Sequence, residues 1–285
     1  MGLLLQTPRA RLRRLVRRSG PSPLAGRTVL VTGASSGIGE ATALAVAARG
    51  ARVLLVARRA DDLARVQGEI EAAGGRATAY PCDLTDGAAV DDLVAKVLAE
   101  GPVDYLVNNA GRSIRRSLHL SYDRFHDVER TIAINYLAPV RLTLGLLPAM
   151  REQRFGHVVN ILSWGVQLKA PKFGAYLGSK SALDTWSRIA GRETYPDNVT
   201  FTNMRFGLVR TPMVVPTGSF EDRRALTAEQ AAEKVVRALE DRPIVVNVPF
   251  IGTVGEQLNI WFPRASDAVM SRFDRAVPDS KAARG

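Results

Sequence analysis

Tyr176 and Lys180 stand four residues apart in Tyr176-Leu177-Gly178-Ser179-Lys180, and Ser163 lies thirteen positions before the tyrosine. On a helix that spacing stacks the two side chains on one face, one turn apart. A free phenol, with a pKa of about 10, keeps its proton at neutral pH. An ammonium one turn away favours the phenolate and draws the group toward the working range of a general acid or base. Ser163, at the end of an apolar run, adds a hydroxyl to hold a substrate oxygen beside the phenol. Together these groups make a proton-transfer site for a carbonyl/alcohol pair. An isolated pair of this kind is more often two solvated neighbours, so the elements around it decide.

Residues 27–32 read as a short buried strand and run into Gly33-Ala34-Ser35-Ser36-Gly37-Ile38-Gly39. Glycines there let the backbone turn tightly and approach a pyrophosphate. The helix that follows, with Ile38, Ala41, Ala45 and Ala48 expected inward and Gly50 as its stop, points its N-terminal dipole at that anion. The next strand, 52–56, ends at Ala57 where a carboxylate would grip the ribose 2′-hydroxyl of NAD. Arg58 and Arg59 follow instead, and guanidinium groups suit a 2′-phosphate, which favours NADPH. Asp83, past a strand at 77–80, is placed to accept from an adenine amine. A strand at 103–107 leads into Asn108-Asn109-Ala110-Gly111, amides that brace the crevice or merely form a turn. Asn135 precedes Pro139 in a long helical stretch, 128–147, where the proline is expected to free a carbonyl and kink the rod. Asn135 then either holds a water or faces solvent.

Strands at 157–162, 199–206 and 244–248 complete a β-α alternation with apolar strands, which means a parallel sheet covered on both faces. Asp61 to Ala73 is an amphipathic helix with Leu63, Val66 and Ile70 inward and Gly74-Gly75 as its stop, and Thr227-Ala228-Glu229-Gln230 fits a capping box. The loop from Gly207 past Thr211 to Ser219 has the length of a lid.

The 285 residues suffice for one large domain, and no linker divides the middle. Expected boundaries are a basic extension at 1–26, a catalytic domain at 27–249 and an apolar/basic extension at 250–285. A single cysteine, Cys82, forbids an internal disulfide and makes a reducing, cytoplasmic setting the default. His119, His126 and His157 lack zinc-ligand spacing, so no metal is expected. No apolar run approaches the ~20 residues of a membrane span. Net charge is +11, and Arg9, Arg11, Arg13, Arg14, Arg17 and Arg18 sit early among Leu12, Leu15 and Val16. Residues 1–20 therefore read as a helix lying on an anionic membrane or as a solvated terminus. No aromatic interleaving supports nucleic acid. In the tail, Trp261, Phe262, Val269, Met270 and Phe273 fit an acyl-chain cover, a membrane interface, a dimer contact or plain packing.

From Thr28 to about Val248 the chain resembles the short-chain dehydrogenase/reductases. Thr32 to Gly39, Asp83, Asn108 to Gly111, Asn135, Ser163 and Tyr176-x-x-x-Lys180 carry the resemblance, all in the family's order. It implies a Rossmann-type, doubly wound, seven-stranded parallel sheet with helices on both faces and one NADP(H). It further implies a tetrad in which Tyr176 transfers the proton and Ser163 binds the carbonyl. Lys180 holds the nicotinamide ribose and lowers the phenol's pKa, and Asn135 anchors a relay water. Cofactor contacts then fall on Gly33, Ser35, Ser36, Gly37, Ile38, Gly39, Arg58, Arg59, Asp83, Asn109, Ala110, Gly111, Tyr176, Lys180, Gly207 and Thr211. Phe206-Gly207 departs from the family's Pro-Gly. The flanks are similar to those of reductases acting on long-chain acyl or aldehyde substrates. The expectation is a homo-oligomeric reductase of a small apolar carbonyl compound; the alternatives are a non-catalytic NADP(H) sensor and a protein recruited to membranes by its leader.

Overall fold

A computed structural model describes residues 21–213, 225–249 and 251–276. The arginine-rich leader and residues 214–219 of the expected lid loop lie outside the described residues. Seven strands alternate with helices: β1 (Thr28–Thr32), α1 (Gly37–Ala47), β2 (Arg52–Ala57), α2 (Ala60–Ala72), β3 (Arg76–Pro81), α3 (Gly87–Ala99) and β4 (Tyr105–Asn108). Then come α4 (His126–Ile132), a π-helical turn at Ala133–Leu137, α5 (Ala138–Glu152), β5 (Gly156–Ser163), α6 (Gly165–Leu168), α7 (Gly174–Glu193) and β6 (Val199–Phe206). The chain closes with α8 (Ala228–Asp241), β7 (Val245–Val248), α9 (Ile251–Trp261) and α10 (Pro263–Ala276).

The strands form one sheet in the order β3-β2-β1-β4-β5-β6-β7, and every pairing is parallel. Side chains alternate across a strand, so β1 feeds two cores. Val29 and Val31 join Val235 and Val236 of α8 on one face, while Leu30 joins Leu142 and Leu146 of α5 on the other. The strand order reverses between β1 and β4, and ligands bind in such sheets outside the carboxyl ends at that point.

The helix stops follow the expected glycines: Gly50 and Gly74 take φ of +83° and +80°, a conformation that costs a residue with a Cβ far more. The inward face of α1 differs from expectation. Gly39, Thr42, Ala43, Val46 and Ala47 are buried, whereas Ala48 is exposed and Ile38, Ala41 and Ala45 are half-buried. Small residues occupy every side of this helix, so periodicity cannot orient it; close contact at Gly39 does. A Cβ at Gly39 would lie 2.1 Å from the Gly33 carbonyl oxygen.

The long helical stretch is interrupted by the π turn rather than at Pro139. From His126 to Glu152 it is long and apolar enough, by length and composition, to cross a bilayer, which the search for apolar runs missed. Leu142, Leu146 and Met150 of that stretch pack in the core beside Val158. The chain also joins the fold earlier than residue 27: Leu24 is fully buried in the β1 core, and Ser22 Oγ donates to Glu240. The tail forms α9 and α10. The buried Gly252 packs on α6, where Gln167 donates to Glu256 and Asn259 donates to the Gln167 carbonyl, while Trp261, Phe262 and Val269 are exposed.

Candidate active site

One cavity of about 1080 Å³ opens at the carboxyl ends of β1, β2, β4 and β5. Gly33, Ser35, Ser36, Gly37 and Ile38 form its floor. Arg58, Arg59 and Asp83 stand at one side, and Asn109, Ala110 and Gly111 at another. Ser163, Tyr176, Lys180, Gly207 and Thr211 close the far side together with Trp164, Phe173, Leu208 and Met213. All but two of the residues singled out in the sequence line this space.

The exceptions are Gly39 and Asn135. Gly39 faces the Gly33 carbonyl and the Asn109 amide rather than the cavity. It sets the distance between turn and sheet, a packing role instead of a ligand contact. Asn135 is fully buried. Its Nδ2 donates to the Arg112 carbonyl and to Ser179 Oγ, each at 2.9 Å, and its Oδ1 accepts from the Arg112 amide at 2.9 Å. Of the two alternatives for Asn135, the solvent-facing one fails, because the π turn holds the residue inward; such turns recur at functional sites.

The glycine turn is held by Thr32, which the sequence places in the motif but to which it assigns no role. Thr32 Oγ1 accepts from the backbone amides of Asn109 and Ala110, both at 3.0 Å, and donates to Val107. Asn109 Nδ2 returns the tie to the Thr32 and Gly33 carbonyls at 2.9 and 3.3 Å. The signal was a threonine at the end of a buried strand. Ser36, at the start of α1, makes no capping bond with its side chain. The first-turn amides of α1 are thus left for another acceptor, at the end of the helix whose dipole favours an anion. Gly37 takes φ +59°, and a Cβ there would press on Thr211 at 3.1 Å. These features fit a dinucleotide phosphate.

At the other end, Ser163 stands beside Tyr176 on the cavity wall, and the Gly165 amide donates to Ser163 Oγ at 3.2 Å. Lys180 Nζ donates to the Ile161 carbonyl at 2.9 Å. A Cβ on Gly111 would fall 3.2 Å from Lys180 Nζ and 2.8 Å from Asn135 Oδ1, so only glycine lets the two side chains share that point. Burial pushes the Tyr176 phenol above its ordinary value, and the Ser163 hydroxyl opposes this. Burial also brings Lys180 down to about 8. The lowering of the phenol expected from the Lys180 spacing is not found: burial, which a count of charges along a helix omits, sets the direction, and only Ser163 opposes it.

Arg59 is exposed and paired with Asp62. Asp83 accepts from the Thr85 amide and hydroxyl, at 2.9 and 2.8 Å, and these bonds hold its carboxyl below the usual range. Cys82 is a buried, free thiol pushed up by burial, as a small filler would be. Among the described residues no His, Cys, Asp and Glu cluster could hold a metal.

The short chain dehydrogenase family model matches residues 27–222. The chain belongs to the short-chain dehydrogenase/reductase family. It is 47% identical over 266 residues to an uncharacterised oxidoreductase of Mycobacterium bovis, covering 91% of this chain and 77% of the relative. It is 44% identical over 261 residues to a fatty acyl-CoA reductase of Acinetobacter baylyi, covering 91% of this chain and 88% of that protein. A metagenomic short-chain oxidoreductase solved in complex with NADP is 33% identical with a TM-score of 0.68, over 79% of this chain and 96% of its own. As a member of this family the chain is an oxidoreductase built for a nicotinamide dinucleotide and a small-molecule substrate.

Proposed function

We propose that this protein is an NADPH-dependent reductase of apolar, long-chain carbonyl compounds, with Tyr176 as the proton donor. The observation that supports it most is that Ser163, Tyr176 and Lys180 meet on the wall of the cavity whose floor is the glycine turn. When bound, the nicotinamide supplies the hydride. Tyr176 and Lys180 would hold its ribose, the α1 amides with Gly33 to Ile38 would take its pyrophosphate, and Arg58 would meet the 2′-phosphate.

Ser163 orients the substrate oxygen toward the Tyr176 hydroxyl. Tyr176 gives its proton to that oxygen as negative charge develops there, so the alcohol leaves neutral and the phenolate is reprotonated from the Lys180 side. Burial keeps the phenol in its acid form at neutral pH, the form that donates to a carbonyl oxygen. Asn135 fixes the backbone at Arg112 and so the position of Gly111 beneath Lys180.

Trp164, Phe173, Leu208 and Met213 make the substrate end apolar, and the 44% identity to a fatty acyl-CoA reductase supports the same substrate class. A graded series of straight-chain aldehydes and acyl thioesters with NADPH tests it. Each methylene that enters the cavity adds about 0.8 kcal/mol, so kcat/KM is expected to rise about fourfold per carbon until the cavity is filled. A flat series rejects the long-chain reading, and NADPH binding without oxidation by any member would make the protein a sensor. A homo-oligomer is the expected assembly: Leu144 of α5 and Ile189 of α7 are both about half exposed, and light scattering reads the mass directly.

A further inference from the structure

Three guanidinium groups line the cavity near its glycine floor: Arg58 after β2, Arg112 after Gly111, and Arg130 on α4. None of the three forms an ion pair among the described residues. The acids nearby are engaged or stand apart. Asp127 is taken by Arg116, Arg124 and His126. Asp83 accepts from Thr85, and Glu129, also on the wall, pairs with none of the three. Burial and the charge of Arg130 push the Arg112 guanidinium down, Asp127 opposes, and Arg58 adds to the lowering. Arg58, Arg112 and Arg130 stand solvent-exposed around one cavity with no ion-pair partner among the described residues. An anion in that cavity meets three unpaired guanidinium groups, and a planar fork of donors suits phosphate best.

We propose that Arg112 and Arg130 join Arg58 in a three-arginine clamp for the phosphate monoester of an adenosine nucleotide. Arg112 follows the Asn-Asn-Ala-Gly segment that braces the glycine turn, and Asn135 grips its backbone through both amide and carbonyl. The guanidinium therefore projects from a fixed point rather than from a free loop. Arg130 lies one turn before the π-helical residues, on the same side of the cavity. The clamp rests on the reductase reading, and two sources carry its ligand chemistry: the 2′-phosphate of NADP(H) and the 3′-phosphate of a coenzyme A thioester.

The test uses the full-length protein and the variants Arg112→Ala, Arg130→Ala and Arg112→Lys. Dissociation constants for NADPH and NADH come from nucleotide fluorescence at several salt concentrations. A cofactor clamp predicts that each alanine variant weakens NADPH about tenfold, leaves NADH within about twofold and flattens the salt dependence. Arg112→Lys keeps the charge, loses the fork and falls between. A substrate clamp predicts unchanged NADPH binding with KM raised about tenfold for a coenzyme A thioester and unmoved for its 3′-dephospho analogue. Thermal unfolding without nucleotide separates a structural role: an unpaired guanidinium predicts that Arg112→Ala melts at or above the wild-type temperature. Equal losses for NADPH and NADH, a lower melting temperature, or no change with any nucleotide each overturn the clamp. Failure of the wild type to bind either dinucleotide would instead sink the reductase reading on which the clamp rests.

Discussion

Lys180→Met is expected to stabilise the protein at neutral pH while removing its activity. Lys180 is 5% exposed, and burial lowers its pKa from 10.5 to about 8. That fall corresponds to about 3 kcal/mol withheld from the folded state below pH 8, where both folded and unfolded chains carry the ammonium. Methionine fills nearly the same volume without the charge, but it leaves the Ile161 carbonyl without its partner at 2.9 Å, a loss of about 1–2 kcal/mol. The net gain at pH 7 is about 1–2 kcal/mol, or a few degrees in Tm for a domain of this size. The sign then depends on pH. Between 8 and 10.5 the unfolded chain binds the proton more tightly than the folded one, so wild-type stability rises with pH. Above 10.5 the charge penalty is gone and only the lost hydrogen bond remains, so the variant becomes the less stable form. Paired thermal melts without nucleotide from pH 7 to 11 read this out. A variant less stable at pH 7, or an advantage that does not shrink toward pH 10.5, would refute the claim that burial destabilises this lysine.

Three further outcomes are expected. His157 is fully buried between β5 and β6, bonded to Thr200 and Thr202, and burial lowers its pKa to about 3. Stability should fall as pH drops below 6.5, by about 3 kcal/mol near pH 4.5, and His157→Gln should flatten that limb in acid denaturation. Gly39→Ala puts a carbon 2.1 Å from the Gly33 carbonyl oxygen; a loss of about 1–3 kcal/mol in stability, with weaker dinucleotide binding, should follow in melts and titrations. Thr32→Val keeps the shape and removes the acceptor for two amides; dinucleotide affinity should fall with little change in the β1 core, read by titration beside far-UV spectra.

The sheet was legible because β1, β2, β4 and β5 are largely apolar and buried, and such strands alternating with helices have no other stable home than a covered parallel sheet. Strand bounds came within one or two residues, and Gly50 and Gly74 stopped helices as their freedom at positive φ requires. Most of the site was legible for a related reason: the glycine turn, Asn109 to Gly111 and Ser163 sit at strand ends or just past them, and Tyr176 and Lys180 are one turn apart on α7. Whatever depended on third-dimensional packing was not. The inward face of α1 is set by one glycine–carbonyl contact, the orientation of Asn135 by a π turn with no composition mark, and the phenol's pKa by burial rather than by its neighbour. Arg112 and Arg130 are far apart in sequence, and only the closing of β4 and α4 around one cavity brings them to the same wall.

Proton transfer by Tyr176 is tested most directly by NADPH oxidation at saturating long-chain aldehyde, wild type against Tyr176→Phe, with NADPH dissociation constants measured on both. The account predicts a fall of about 10²–10⁴ in kcat with NADPH affinity unchanged. A Phe variant that turns over within a few-fold of the wild type would contradict it.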